Sequence, residues 1–376
     1  MIEVHEMEKT MIEKDDLAEF QWESREEGFA ALEHEVIYRE LCSGCGLCVA
    51  VCPEDVIGFG EYPRLIGKCV NCGYCLMACP RSFLPKAEVE ERLLGEAGGE
   101  LGVVKGVYSV RTKEKGQDGG FVTALLKYML KKKLVDGAVV SDLDPSKPWK
   151  PMPRIARTAV EIETAAGSRY STSPNLMTLK VAKQKGLKVA VVGTPCHLDG
   201  AAKLKAYPVE GAELGDLVRY TVAVFCKSNF IYPMVGEHLA GKEGIDLAKV
   251  DKMDIKGKHL IVYEGGKEKK ILLKDIHGYE RLGCKVCDDF TGRFSDFSVG
   301  SVDSEAGYST VITRTKEADR ILKDMKKEGL IEVKAMGVDG LPVAHKLAEQ
   351  KKSRARKEVA KIRRDALPLP LKYLGE

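Results

Sequence analysis

Cys42, Cys45, Cys48 and Cys52 form a Cys-x2-Cys-x2-Cys-x3-Cys run closed by Pro53; Cys69, Cys72, Cys75 and Cys79, closed by Pro80, repeat it. Three thiolates at this spacing wrap one face of a [4Fe–4S] cube, and the fourth reaches across to the other cluster of a pair. One cluster is therefore expected on Cys42, Cys45, Cys48 and Cys79, and its partner on Cys69, Cys72, Cys75 and Cys52. Paired CxxC motifs also suit zinc, but two complete four-cysteine runs with their prolines favour the clusters. The chemistry is one-electron relay.

Four cysteines remain, Cys196, Cys226, Cys284 and Cys287. Two end predicted strands, where α/β sheets place their sites, and two form a CxxC. A third [4Fe–4S] cluster is one reading. Buried structural thiols with a separate zinc or redox CxxC are the other. Two glycine turns are candidate phosphate cradles, since free backbone N–H groups attract anions. They are Gly119-Gly120 ahead of a helix, and Gly167-Ser-Arg-Tyr-Ser171, although either can be a plain turn. No GxGxxG follows a strand, so the usual dinucleotide fingerprint is absent.

These residues need elements to hold them. Residues 1–35 read as a charged extension with a helix from Glu13 to Phe20, and residues 36–81 as the two-cluster unit. A linker over 82–105 breaks at Gly95-Glu-Ala-Gly-Gly99. From 106 to 340 strands alternate with helices. Strands are expected at Tyr108–Arg111, Leu134–Ser141, Leu187–Gly193, Arg219–Cys226 and Val311–Arg314. Helices are expected over Phe121–Lys131, Glu161–Ala166, Leu176–Lys185 and Lys316–Glu328. Residues 194–197 read as a turn, and 258–273 as a hairpin turning at Gly265-Gly266. The pattern is α+β or α/β, with a mainly parallel or mixed sheet under helical cover. Residues 341–376 are a basic helix and tail, with nine Lys or Arg against three acids between His345 and Asp365. A solvated helix or a handle for an acidic partner is expected there, because no aromatics interleave the charge.

Composition limits the function. A net charge of +3 over 376 residues gives no global nucleic-acid signature. No run of eighteen apolar residues provides a transmembrane segment, and Met1–Glu35 lacks the apolar core of a secretory signal. Twelve cysteines without such a signal suggest a reducing, cytoplasmic setting and metal ligation, with peripheral attachment to a membrane complex left open.

The segments Gln117–Leu126, Gly167–Tyr170, Gly193–His197, Phe225–Phe230 and Gly283–Asp289 together resemble the coenzyme F420 hydrogenase/dehydrogenase beta-subunit family. The resemblance covers about Val107 to Arg314, in the family's order. It implies that the bacterial-type 2[4Fe–4S] ferredoxin domain read from the cysteine spacing is followed by a mixed-sheet flavin domain of the F420 hydrogenase beta-subunit type. It further implies FAD, coenzyme F420 as hydride-carrying substrate, and a third cluster on Cys196, Cys226, Cys284 and Cys287. Gly119, Gly120, Val122, Thr123, Gly167, Ser168, Arg169, Tyr170, Ser171, Thr194, Pro195, His197, Lys227 and Asn229 match segments that surround the flavin. Lys256, Lys258 and Arg293 are candidates for the anionic F420 tail. A hydride transfer demands no protein acid or base, so no catalytic side chain is expected. The N-terminal ferredoxin unit resembles that of F420H2 dehydrogenase input subunits and the F420-oxidising half of F420-dependent sulfite reductase. The implied partner is a protein complex that accepts or donates electrons: a membrane dehydrogenase, a ferredoxin or another redox enzyme. Alternatives are an electron-transfer adaptor without F420 activity, or the beta subunit of an F420-linked formate dehydrogenase or hydrogenase.

Overall fold

The computed structural model describes residues 27–364; the expected Glu13–Phe20 helix and the tail after Arg364 lie outside them. The body is an eight-stranded mixed sheet. Its strands are β3 (Gly106–Arg111), β4 (Gly137–Leu143), β5 (Pro151–Ala156), β6 (Val189–Gly193), β7 (Val218–Val224), β11 (Phe297–Gly300), β12 (Ser309–Thr313) and β13 (Glu332–Met336), in the order β13-β3-β12-β11-β7-β6-β4-β5. The central run β11-β7-β6-β4 is parallel and the remaining pairs are antiparallel. Along β6 the side chains alternate between two buried layers. Ala190 joins the core under α5 (Phe121–Lys131), while Val189 and Val191 join the core that includes Cys45, Leu47 and Ala78 of the ferredoxin unit. The sheet thus has one face for its own helices and one that receives the N-terminal unit.

Several expectations shift. The charged extension does not reach residue 35. Helix α1 (Gly28–Leu32) and a π turn (Glu33–Ile37) bury Phe29, Ala31, Leu32 and Val36 against the ferredoxin core, which also holds α2 (Leu47–Val51), β1 (Ile57–Phe59), β2 (Pro63–Leu65) and α3 (Tyr74–Met77). The apolar residues at 29, 31, 32 and 36 drive this, despite the acids between them. The linker contains α4 (Lys86–Leu94), whose Val89 and Glu90 are fully buried, with Val89 packed in one cluster with Leu198 and Ala202 of α8 (Pro195–Ala206). Residues 194–197 are no plain turn but the start of α8, with Thr194 as N-cap and proline at the first position. Helix α6 (Ala159–Thr164) starts on a Thr158/Glu161 capping box, and α7 (Leu179–Gln184) follows a 3₁₀ turn at Asn175–Thr178. The hairpin turns at Gly265-Gly266 as expected, but its strands β9 (His259–Glu264) and β10 (Lys267–Leu272) gain a third, β8 (Val250–Lys256). β5, β11 and β13 were not evident in the sequence. β5 carries Pro151 and Pro153, which only an edge strand tolerates.

The basic C-terminal helix is solvated on one side only. After α9 (Lys316–Lys327) and β13, α10 (Pro342–Arg364) continues from the buried Leu341 and lays Ala344, Ala348, Lys351, Ala355 and Val359 along a buried stripe. The alanines let it approach closely, and Val359 reaches the ferredoxin core. Among the described residues no helix is long and apolar enough to cross a membrane.

Candidate functional site

Parallel strands β6 and β7 end side by side, and the chain leaving each carries a cysteine. Cys196 stands at the second position of α8, and Cys226 follows β7 by two residues. The loop after the three-stranded sheet brings Cys284 and Cys287 to the same place. All four line one largely enclosed cavity, with Ser43, Arg81, Thr172, Thr194, Asn229 and Lys351 also in its wall. Burial pushes the Cys196 thiol up to about 12, with Cys287 and Cys284 adding repulsion. Cys226 and Cys284 are likewise raised by burial first, and Lys351 draws both back down. Four cysteines around one enclosed space, three of them with thiols that burial keeps from ionising, fit an iron–sulfur cluster that would supply the compensating charge.

The first ferredoxin loop forms part of the same wall through Ser43. Burial raises the Cys45 thiol, followed by the effects of Cys79, Cys42 and Cys196, so the two cysteine groups feel one another. Cys79 also acts on Cys48 and on Cys75, and Cys42 on Cys79, so the cysteines of the two runs lie close to one another. Cys69 and Cys72 are partly exposed. All twelve cysteines are free of disulfides.

Arg281 fastens this junction. It is fully buried, donates from Nε to Thr172 Oγ1 (3.0 Å) and from Nη1 to the Cys42 carbonyl (3.3 Å), and bonds the Glu61 carbonyl through Nη2. Its guanidinium also covers the Tyr62 ring at 4.5 Å. Lys203, buried on α8, donates to the Cys79 carbonyl (2.7 Å) and to Ser82 Oγ (3.0 Å). Lys180 donates to the Cys52 carbonyl (2.5 Å). None of these cations carries a sequence signal beyond its charge. What marks Arg281 and Lys203 is burial, visible only in the fold.

The candidates for the flavin divide into two groups. Gly119 and Gly120 precede α5, with Val122 and the buried Thr123 in its first turn. A Cβ on Gly119 would collide with the Val110 carbonyl, and Gly120 has φ +72° with the Glu114 carbonyl where any Cβ would stand, so both positions need glycine. Gln117 joins this turn to the second cradle: its Oε1 accepts from the Ser168 N–H (3.1 Å), and its Nε2 donates to the Met253 carbonyl (3.0 Å). Next to Ser168, Arg169 lies over Trp149 at 5.9 Å. Arg169 Nε and Ser171 Oγ are buried without a hydrogen-bond partner among the described residues. Gly167 has φ +107°, and burial raises the Tyr170 hydroxyl. Two orphaned donors beside a glycine cradle that no side chain can fill fit a bound phosphate-bearing cofactor.

The second group lies at the cysteine cavity instead. Thr194 Oγ1 sits 3.1 Å from Cys196 Sγ and 2.9 Å from His197 Nδ1, and Pro195 and Asn229 line the cavity. His197 is a capping residue. Its Nδ1 accepts from the Thr194 N–H (3.1 Å) and its Nε2 meets the Ser173 carbonyl (2.8 Å), which fixes a neutral ring whose pKa burial lowers to about 4. Lys227 reaches out to Gln350 of α10 (3.2 Å). Lys256 contacts the Tyr263 hydroxyl (3.2 Å) and, like Lys252, acts on Asp118 beside the glycine turn; Lys258 stands on the adjacent exposed turn. Arg293 does not belong with them: it pairs with the buried Glu90 (3.0 Å) and donates to the Gly99 carbonyl (3.2 Å). A buried carboxylate demands its cation, so Arg293 is a structural residue.

The chain is 39% identical to the coenzyme F420 hydrogenase subunit beta of Methanothermobacter thermautotrophicus over 280 residues, which cover 72% of this chain and 99% of that relative. It belongs to the coenzyme F420 hydrogenase/dehydrogenase beta-subunit family. Residues 107–180 match the N-terminal part of the family's beta subunit and 186–338 match its C terminus, while 35–58 match a 4Fe-4S binding domain. The coenzyme F420-dependent sulfite reductase of Methanocaldococcus jannaschii is 36% identical over 88% of this chain, which spans 52% of that relative's length. Among solved structures, a chain of the F420-reducing [NiFe] hydrogenase complex from Methanosarcina barkeri superposes with a TM-score of 0.67 at 34% identity. That superposition covers 70% of this family member and 94% of the hydrogenase chain.

Proposed function

We propose that this beta-subunit family member is a flavin iron–sulfur oxidoreductase that exchanges hydride with coenzyme F420 at FAD. It passes single electrons through three [4Fe–4S] clusters to a partner protein, as an F420H2 dehydrogenase-type input subunit. The observation that carries the reading is the common wall: Ser43 of the first ferredoxin loop lines the cavity of Cys196, Cys226, Cys284 and Cys287. A third centre there would stand next to the Cys42/Cys45/Cys48/Cys79 cluster, with the Cys69/Cys72/Cys75/Cys52 cluster outermost.

Bound flavin supplies the step between two-electron hydride exchange and one-electron transfer. The chain's own residues bind and orient. The Gly119-Gly120 turn and the N-terminus of α5 offer backbone N–H groups to phosphate, and Arg169 and Ser171 contribute the donors left open. Gln117 holds the two cradles in register. Lys256 and Lys258 present positive charge on the outer sheet beside that turn, suited to the acidic F420 tail. Thr172 follows Ser171 directly and lines the cysteine cavity, so flavin-binding and cluster-binding segments are continuous in the chain. The partner is an electron-transfer protein that meets the partly exposed Cys69 and Cys72 side.

The test is anaerobic. Purified chain should hold about twelve irons, the content of three cubes, and one flavin that F420H2 bleaches before a viologen dye is added. Eight irons without flavin, or a flavin that F420H2 leaves oxidised, would overturn the reading in favour of an adaptor.

A further inference from the structure

Helix α10 inserts one charge into its apolar stripe. Lys351 follows Leu341, Ala344 and Ala348 and precedes Ala355 and Val359 on the buried side, and it lines the cavity of the four cysteines. Its Nζ donates to the Cys226 carbonyl (2.5 Å) and the Asp289 carbonyl (2.7 Å). Neither acceptor neutralises it. The nearby Asp289 carboxylate is taken by the N–H groups of Thr291, Gly292 and Arg293. One turn on, Arg354 is paired with Glu280 (2.9 Å) while it donates to the Cys284 carbonyl (2.9 Å). So α10 offers two cations to the same loops, one compensated by a carboxylate and one not. An uncompensated buried ammonium is strongly unfavourable, and the negative charge within reach is what the cysteines hold. Arg81 enters the cavity wall from the ferredoxin side and donates to the Gly283 carbonyl (3.3 Å). Cys287 and then Asp199 lead the charges acting on Arg81, so both cations border the cysteine cavity, and Lys351 is the one that α10 contributes.

We infer that Lys351 is a positioning residue that holds up the reduction potential of the centre on Cys196, Cys226, Cys284 and Cys287, with α10 as the strap that carries its charge to the cavity. The inference rests on the reading that these cysteines bind a [4Fe–4S] cluster. Reduction there adds one electron and one negative charge, with no bond made or broken. A fixed ammonium in a low-dielectric wall stabilises the reduced form more than the oxidised one, and net charge is a main determinant of cluster potential. The third centre would thereby accept electrons more readily from a neighbouring hydride acceptor than its thiolates alone would allow.

The experiment is an anaerobic redox titration of the full holo-chain, followed by electron paramagnetic resonance, on wild type, Lys351→Met and Arg354→Met. In Lys351→Met the reduction equilibrium of the third centre should weaken at least tenfold, about 59 mV for a one-electron couple. The two ferredoxin clusters should stay in place, and so should all three centres in Arg354→Met, which loosens the strap without removing the uncompensated charge. A Lys351→Met chain with full iron and a third-centre equilibrium within twofold of wild type overturns the inference. If Lys351→Met loses its third-centre iron, Lys351→Gln decides by the same tenfold and twofold limits. Loss of that iron from both Lys351 variants, with retention in Arg354→Met, assigns the charge to assembly and overturns the tuning role. Eight irons in wild type would overturn the cluster reading itself.

Discussion

Replacing Arg281 with Met should loosen the ferredoxin unit from the cysteine cavity while leaving both cores intact. The side chain is fully buried and serves the Cys42 carbonyl, the Glu61 carbonyl and Thr172 Oγ1, with Tyr62 beneath its guanidinium. Hydrogen bonds from a charged donor contribute about 1.5–3 kcal/mol each, and the carbonyls left behind lose their partners. Removing the cost of burying a guanidinium offsets part of that sum. A net loss of about 3–4 kcal/mol in local opening is expected, and at 1.4 kcal/mol per decade this is roughly 100- to 1,000-fold faster amide exchange. The assay is native-state hydrogen exchange by mass spectrometry on the anaerobic holo-chain, read in peptides spanning residues 42–62. Flavin reduction by F420H2 should be unaffected in the same sample, with onward reduction of the ferredoxin clusters slowed. Exchange within tenfold of wild type in those peptides would refute the reasoning, because Arg281 would then not be what holds the two units together.

Three further outcomes follow from the site. Cys226→Ser should lower iron from about twelve to about eight per chain with the ferredoxin signals intact, measured by iron assay and electron paramagnetic resonance; a loss from the ferredoxin clusters would contradict the placement. Gly119→Ala should cut flavin content several-fold, since the new methyl runs into the Val110 carbonyl, whereas Gly60→Ala, with open space around its Cβ, should retain full flavin. The buried His197 titrates near 4 when folded, below the usual imidazole value near 6.5, so the unfolded chain takes up the proton between those pH values. Stability should therefore rise with pH across that window and be lost as pH falls through it, by up to about 3 kcal/mol. Thermal melts from pH 4 to 7 should show a shallower slope in His197→Gln.

Much of the architecture was legible where local pattern and tertiary outcome agree. Helix α5 occupies Phe121–Lys131 as its apolar spacing demands, and Gly265-Gly266 turns the hairpin because both residues adopt positive φ. The family resemblance read from the cysteine, glycine and Thr-Pro-Cys-His segments is upheld by the family matches over 107–180 and 186–338. The failures share one cause, neighbours remote in sequence. Residues 28–35 look like a charged arm until Phe29 and Leu32 meet the ferredoxin core. The linker looks open until Val89 meets α8. Arg293 looks like a free surface cation until Glu90, some 200 residues earlier, claims it.

The basic C-terminal helix is the most instructive of these. Charge in a helix normally predicts solvent, because a buried ion without a counter-ion is so unfavourable. Here Arg81, Lys203, Arg281 and Lys351 are all buried, and each donates to a backbone carbonyl of a cysteine or of a neighbour in a cysteine loop. Arg314 is the counter-example. It is equally buried but spends its guanidinium on Ser298, Val103 and Thr291, away from the thiols, and burial lowers its pKa to about 10. A cation used for packing among neutral partners is thus pushed toward losing its proton, while Lys351, beside the cysteines, is held the other way. A chain of this composition therefore buries an ordinary apolar core around its sheet, and a second, charged core where the ferredoxin unit meets the cysteine cavity.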